Sequence, residues 1–353
     1  MSGPALHQFV PTFEPGAVGN HILEVQRLAR EVLGLESLVF AEHVAPAFAG
    51  RATRHTDYAR RVPAGADDAL IYHMAIGSVV ADFVRDRPER LVVDHHNITP
   101  PEMYERWEPA AAYGCAWGRA QLPELAARAV LGVADSGWNE AELRAAGYAA
   151  TVTAPILLDL PSPPVFNDGG VTGDWLFVGR VSPNKCQHDV IKAFAAYRRG
   201  YDPAARLRLV GASSSATYQD ALEGFVAALG LGDAVELCGA VSLERLARHY
   251  RNAGVFVCLS EHEGFGIPLL EAMAHGLPVV AYGSTAVPET VADAGIVLAS
   301  KRPAVVAAAA HRVLADVDLR TALAAAAAER LAAFSLERSR ARWTDVLAGV
   351  LGR

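Results

Sequence analysis

Short apolar and β-branched runs recur along the first half of the chain at residues 38–41, 70–72, 91–93 and 131–134, and along the second half at 176–178, 207–210, 235–237, 255–259 and 278–281. Longer stretches with helical periodicity separate them, as at 22–33, where apolar positions return every three or four residues. Strands alternating with helices predict parallel sheets joined by helical crossovers, so the expected class is α/β. Between the two sets lies a proline- and glycine-dense stretch, 159–173, with little periodicity, as a linker has. The expected organisation is a first domain over residues 1–160, a linker over 161–173 and a second domain over 174–334. A last helix over 335–353 is expected to pack back on the first domain.

Composition narrows the classes of function. A chain of 353 residues exceeds one ordinary core, and 52% hydrophobic with 20% charged residues describes a well-packed globular protein. With 32 Lys plus Arg against 39 Asp plus Glu, the net charge of -7 disfavours broad capture of nucleic acid or anionic lipid. Any phosphate site is therefore local. No uninterrupted apolar run of roughly 18 residues predicts a membrane span, and the N-terminus lacks the basic start and apolar stretch of a signal peptide, so a cytoplasmic location is expected. The locally basic stretch 51–61 reads as a solvated face, or more sharply as a contact for an acidic acceptor or lipid headgroups, which leaves peripheral membrane contact open. Cys115, Cys186, Cys238 and Cys258 show no C-x-x-C spacing, and neither H-E-x-x-H nor G-x-S-x-G occurs. No metal site is expected, and no cofactor.

The most informative segment, 260–281, reads as strand end, glycine-rich turn, helix and strand, with Pro268 suited to a first helical turn and Gly276 to a helix end. Gly264 and Gly266 permit close backbone approach at a helix N-terminus, which favours an anion or an array of sugar hydroxyls. Glu263 and Glu271 flank that turn. Ionised carboxylates suit the paired donors of a vicinal diol, so the two acids can hold a pyranose and a ribose; the plainer reading is a solvated acid and a helix-face acid.

A second cluster follows the strand at 176–178, where Gly179, Arg180 and Lys185 lead into a helix. A guanidinium fork and an ammonium at one strand end can neutralise a diphosphate, although two surface cations would look the same. The spacing is not that of a phosphate-binding P-loop. In the first half, Pro15-Gly-Ala-Val-Gly19-Asn20 reads as a tight turn before the helix at 22–33, and Asp94, His95, His96 and Asn97 place polar groups at a strand end. Adjacent histidines point in different directions, so that pair alone does not make a two-ligand metal site.

Glu263 and Glu271 within Glu-Gly-Phe-Gly-Ile-Pro-Leu-Leu-Glu, together with Gly179, Arg180 and Lys185, resemble the donor site of retaining glycosyltransferases of family 4. The resemblance extends to Gly19-Asn20, the Tyr72-His-Met-Ala-Ile-Gly-Ser78 segment, His96-Asn-Ile-Thr-Pro-Pro-Glu102 and residues 134–139, a group similar to a bacterial subgroup of that family. It implies a GT-B fold: two Rossmann-like doubly wound parallel-sheet domains facing across a cleft, the first for the acceptor and the second for a nucleotide-sugar donor. It also implies transfer of a hexose-like sugar with retention, without a metal, in polysaccharide, glycolipid or natural-product glycoside synthesis. By the same resemblance Arg180 and Lys185 bind the donor diphosphate, Glu263 the sugar hydroxyls and Glu271 the ribose. Gly264, Phe265, Gly266 and Ile267 supply backbone donors, His96 touches the sugar near its reacting end, and Gly19 approaches phosphate or acceptor. Glu263, His96, Arg180 and Lys185 form the implied catalytic set. A silent sugar-nucleotide-binding scaffold, and a phosphorylase or epimerase on the same fold, remain as alternatives.

Overall fold

The computed structural model describes residues 5–62, 68–160 and 172–352. Most of the expected linker, residues 161–171, lies outside them. The chain divides into two compact units: residues 1–101, 110–159 and 334–353 form unit 1, and residues 102–109 with 160–333 form unit 2.

Unit 1 runs β1 (Leu6–Phe13), α1 (Ala17–Glu31), β2 (Val39–Val44), β3 (Thr53–Arg54), α2 (Tyr58–Arg61), β4 (Ala69–Met74), α3 (Val79–Arg85), β5 (Arg90–His95), α4 (Pro109–Ala126), β6 (Ala129–Ala134), α5 (Gly137–Ala145) and β7 (Thr151–Thr153). Its seven strands are parallel in the order β3-β2-β1-β4-β5-β6-β7. Strands buried on both faces need continuous apolar runs, which β4 and β5 supply with Leu70, Ile71, Leu91, Val92 and Val93, all inaccessible. Helix α1 buries Ile22, Val25, Leu28 and Ala29, one stripe at helical spacing.

Unit 2 runs β8 (Trp175–Val178), α6 (Gln187–Gly200), β9 (Leu207–Val210), α7 (Ala216–Ala228), β10 (Val235–Gly239), α8 (Leu243–Asn252), β11 (Val255–Cys258), α9 (Ile267–Ala274), β12 (Val279–Tyr282), α10 (Val287–Val291), β13 (Gly295–Leu298), α11 (Pro303–Ala315) and α12 (Val317–Ala333). Its six strands are also parallel, ordered β10-β9-β8-β11-β12-β13.

The last helix, α13 (Leu336–Leu351), belongs to unit 1. Ser335 caps it by accepting from the Arg338 N–H, and its Trp343, Val346 and Leu347 enter the cluster formed by Leu6, Val25, Leu28, Ile71 and Val92. The Trp343 indole donates to the Pro155 carbonyl at 2.9 Å, so its one polar atom is satisfied inside the core. Among the described residues no helix is long and apolar enough to cross a membrane.

Of the turn expected over Pro15 to Asn20, the bend occupies only Pro15 and Gly16, where Gly16 takes φ 149°, and Gly19 and Asn20 already lie within the first turns of α1. Gly19 is required for another reason: a Cβ there would stand 1.9 Å from the Glu14 carbonyl oxygen and 3.0 Å from the Phe48 ring. Gly19→Ala is expected to cost about 1–3 kcal/mol, the range for overpacking a tight site, read as a lower denaturation midpoint with an unchanged m-value.

Candidate active site

In open parallel sheets, ligands bind beyond the carboxyl ends of the strands where the strand order reverses. In unit 2 that reversal falls between β8 and β11. Gly179, Arg180 and Lys185 follow β8, and Glu263 to Ile267 follow β11, so the two clusters read from the sequence leave neighbouring strands at the switch point.

The loop after β8 starts with Gly179 at φ 155°, packed so closely that a Cβ on Gly211 would meet the Gly179 carbonyl oxygen at 2.0 Å. A single 3-10 turn, Pro183–Lys185, then leads through left-handed Cys186 into α6. Asn184 is buried within it and ties this loop to the one after β11. Its Nδ2 donates to the His262 carbonyl at 3.3 Å, and its backbone carbonyl accepts from the Glu261 N–H at 2.9 Å. Lys185 reaches across so that Nζ donates to Glu263 Oε2 at 2.6 Å, both side chains largely buried. Cation and carboxylate therefore meet where the two loops join.

The turn after β11 is held from the β12–α10 loop. The Thr285 hydroxyl accepts from the Glu263 N–H and donates to the Glu263 carbonyl, each at 2.8 Å, while Ser284 Oγ donates to the Ser260 carbonyl at 2.6 Å and Thr290 Oγ1 to the Phe265 carbonyl. Phe265 is buried, and Gly266 caps α9 in the left-handed region at φ 89°, where glycine carries no steric penalty. The positive end of α9 thus faces the loop that carries Glu263. One turn into α9, Glu271 Oε2 accepts from the Tyr250 hydroxyl at 2.7 Å. Burial pushes the Glu271 carboxyl up, with the Tyr250 hydrogen bond opposing it.

Two contributors carry no sequence signal of their own. Tyr104, on the 102–109 segment that belongs to unit 2, donates to Asn184 Oδ1 at 3.1 Å, and Arg180 Nη2 stands 3.4 Å from its hydroxyl. The same segment is fastened by Ser215 Oγ donating to the Trp107 carbonyl at 3.0 Å and Ser214 Oγ to Glu108 at 2.7 Å. Lys301, also unforeseen, is committed to Asp189 at 2.7 Å and Glu261 at 2.5 Å. Arg180 itself is exposed.

Gly19 and His96 lie in unit 1. His95 and His96 do diverge: His95 Nε2 faces Glu142 at 3.1 Å, while His96 Nε2 faces buried Asp94 at 3.2 Å and its Nδ1 faces Asp135 at 3.5 Å. The His96 side chain is 2% exposed. Burial lowers its proton affinity, but Asp94 and Asp135 outweigh that and push it up to about 10. Burial would raise Asp94, and His96, His21 and His73 instead hold it well below the carboxylate range. Burial lowers His21, and lowers His73 to about 4. In the basic stretch, Arg60 pairs with Asp57 and Arg51 lies 5.7 Å over the Phe48 ring.

Two Rossmann-like parallel-sheet units define the class of fold as α/β of the GT-B type, and solved proteins share that fold. Sucrose-phosphate synthase from Thermosynechococcus elongatus matches with a TM-score of 0.75 at 17% identity, covering 99% of each chain. Anabaena HepE in complex with UDP-glucose matches at 0.73 and 19% identity, covering 98% of this chain and 99% of that one. Residues 173–330 match the family model of glycosyl transferases group 1. Among curated proteins, the D-inositol 3-phosphate glycosyltransferase of Geodermatophilus obscurus is 40% identical over 172 residues, 46% of this chain and 37% of that protein. The protein of the same name from Frankia alni is 37% identical over 184 residues, 50% of this chain and 43% of that protein. The matched region spans less than half the length of these curated relatives.

Proposed function

We propose that this protein is a glycosyltransferase that moves a sugar from a nucleoside diphosphate sugar to an acceptor hydroxyl, with retention of anomeric configuration and no metal at the diphosphate. The observation that carries the reading is the junction of two loops at the switch point of unit 2, where the Lys185 ammonium and the Glu263 carboxylate meet at 2.6 Å. The match of residues 173–330 to group 1 glycosyl transferases supports it.

A nucleotide sugar supplies both partners that this ion pair lacks: a diphosphate for Lys185 and Arg180, and hydroxyl donors for Glu263. Binding replaces one internal salt bridge with two external sets of charge-assisted hydrogen bonds. As the glycosidic bond lengthens, negative charge grows on the departing diphosphate, and fixed cations with the N-terminal end of α9 lower the barrier most where that charge is largest. Backbone donors from Gly264 to Ile267 complete the cradle. Tyr250 occupies one Glu271 oxygen and leaves the other to accept from the ribose diol. Tyr104 and Asn184 position Arg180 and Lys185 without touching the donor.

In this reading the leaving phosphate oxygen takes the acceptor proton on the face where the new bond forms, because Glu263 is engaged by Lys185 and the sugar hydroxyls and does not attack. His96, which the resemblance sets beside the sugar and in the catalytic group, is 2% exposed with its ring nitrogens facing Asp94 and Asp135, so in this reading it supports the strand ends of unit 1, and Gly19 serves the close packing of α1. The acceptor is a hydroxyl of a polysaccharide, glycolipid or natural-product glycoside, and the protein works in the cytoplasm. The test is proton NMR of slow donor hydrolysis, which needs no acceptor. An α-linked donor is expected to release the α-anomer first, before mutarotation. Initial release of the β-anomer, or a sugar covalently attached to Glu263, would overturn the mechanism.

A further inference from the structure

The carboxyl ends of β4 and β5 in unit 1 carry a second constellation that the proposed reaction does not use. These strands pair in a register that sets His73 opposite Asp94, and His96 follows two residues on, so the three side chains share one face of the sheet. Helix α1 adds His21 above them. The His73 Nδ1 to Asp94 Oδ2 distance is 3.0 Å, Asp94 Oδ2 to His96 Nε2 is 3.2 Å and His96 Nε2 to His73 Nδ1 is 3.1 Å. All these side chains are 0–2% exposed.

The surrounding hydrogen bonds determine where the protons sit. Gln8 Nε2 donates to the Ile22 carbonyl, so its Oε1 is the atom facing His73 Nε2 at 2.9 Å, and that nitrogen carries the hydrogen. A neutral His73 therefore turns a bare Nδ1 lone pair towards Asp94 and His96. The Leu157 N–H donates to His21 Nδ1 at 3.0 Å, which puts the His21 hydrogen on Nε2, donating to Asp94 Oδ2 at 3.0 Å. His21 thus orients the carboxylate and is not itself a ligand. The lone pairs of His73 Nδ1 and Asp94 Oδ2 and the His96 Nε2, which releases its proton when a metal binds, face one another in a closed triangle. Tetrahedral ligands at about 2.0–2.1 Å from a zinc ion stand roughly 3.3 Å apart, close to these edges.

Charge gives an independent reason. Asp94 and Asp135 are both buried, at 1% and 5% exposure, and among the described residues neither has a Lys or Arg ion-pair partner. Two buried carboxylates need two positive charges nearby. One imidazolium supplies half of that; a divalent cation supplies all of it. Asp94 Oδ1 is also buried without a hydrogen-bond partner.

We propose that His73 Nδ1, His96 Nε2 and Asp94 Oδ2 bind a divalent transition metal, with zinc as the best fit to two imidazoles and one carboxylate. The second shell suits it: His73 donates its other N–H to the Gln8 amide oxygen, and the far nitrogen of His96 faces Asp135, the type of partner that fixes metal-ligating histidines. The ion joins β4, the end of β5 and, through His21, α1. Its ligands belong to unit 1 and the diphosphate-binding residues to unit 2, and the inference stands whether or not the proposed transfer does.

The experiment uses the full chain, untagged, stripped with chelator and dialysed. Calorimetric titration with Zn²⁺ is expected to show one equivalent bound, and Co²⁺ is expected to give the intense visible bands of a four-coordinate site completed by water. His73→Gln and Asp94→Asn lower Zn²⁺ affinity by about a hundredfold or more, and Cys186→Ser, at the other His/Cys/Asp cluster of the described residues, leaves it unchanged. The Co²⁺ spectrum of the wild-type chain keeps the proposal testable if those variants fail to fold. A folded wild-type chain that binds no Zn²⁺, a Co²⁺ spectrum of the hydrated ion only, or binding lost in Cys186→Ser and kept in His73→Gln would overturn it.

Discussion

Glu263→Gln is expected to lower turnover of the nucleotide sugar by roughly 10²–10³-fold, the scale of losing one preorganised electrostatic contact in an active site. The fold survives because the backbone of residue 263 is held at both its N–H and its carbonyl by Thr285, and the amide keeps the volume of the acid. What disappears is charge. A neutral amide accepts weakly at its one oxygen and offers donors where the sugar also offers donors. Lys185 loses its internal partner at the same time and stays available to the diphosphate, so kcat falls more than KM rises. Steady-state kinetics on both proteins, with circular dichroism to confirm folding, measures the split. Wild-type turnover in the variant would remove Glu263 from the site.

The double variant Arg180→Ala with Lys185→Ala is expected to bind the donor roughly 10²–10⁴-fold more weakly, since hydrogen bonds to charged groups contribute about 1.5–3 kcal/mol each and every 1.4 kcal/mol is tenfold. Arg180 is exposed and its guanidinium donates to the Tyr104 hydroxyl, so among the described residues its loss leaves little unsatisfied. The Lys185 change leaves Glu263 without its cation, which adds repulsion towards the incoming diphosphate. Wild-type affinity should weaken as salt rises, and the variant's residual affinity should depend on salt far less. Fluorescence titration at two ionic strengths reads both effects. An unchanged dissociation constant would place the diphosphate elsewhere.

How far these features were legible in the sequence depends on whether the signal was local. The strands at 70–72, 91–93, 176–178 and 255–259 show as apolar runs because they are buried on both faces. Strand β1, interior to the sheet of unit 1, does not show, because buried His7 and Gln8 interrupt its pattern. Those residues are polar for a reason visible only in three dimensions: Gln8 bridges the Ile22 carbonyl and His73. The edge strands β3 and β7 are short and half-buried, and give no clear run either.

The same distinction holds at the site. Glycine, proline and paired acids at fixed spacing announced the turn at 263–267 and the helix after it. Thr285, Ser284 and Asn184 lock that turn through hydrogen bonds to backbone groups, which any loop threonine, serine or asparagine is able to make. Tyr104 lies about 80 residues before Asn184, and only the fold brings them together. His73, Asp94 and His96 were each visible in motifs, but their convergence is a property of the β4–β5 register, which no single strand encodes.

The most direct test of the donor-site account is a calorimetric panel of UDP, GDP, ADP and their common sugars, run against the folded wild-type chain. The account predicts selective binding of one nucleoside diphosphate and its sugar, abolished in the Arg180→Ala, Lys185→Ala double variant. Absence of binding by any of them, or binding that the double variant keeps, would contradict it.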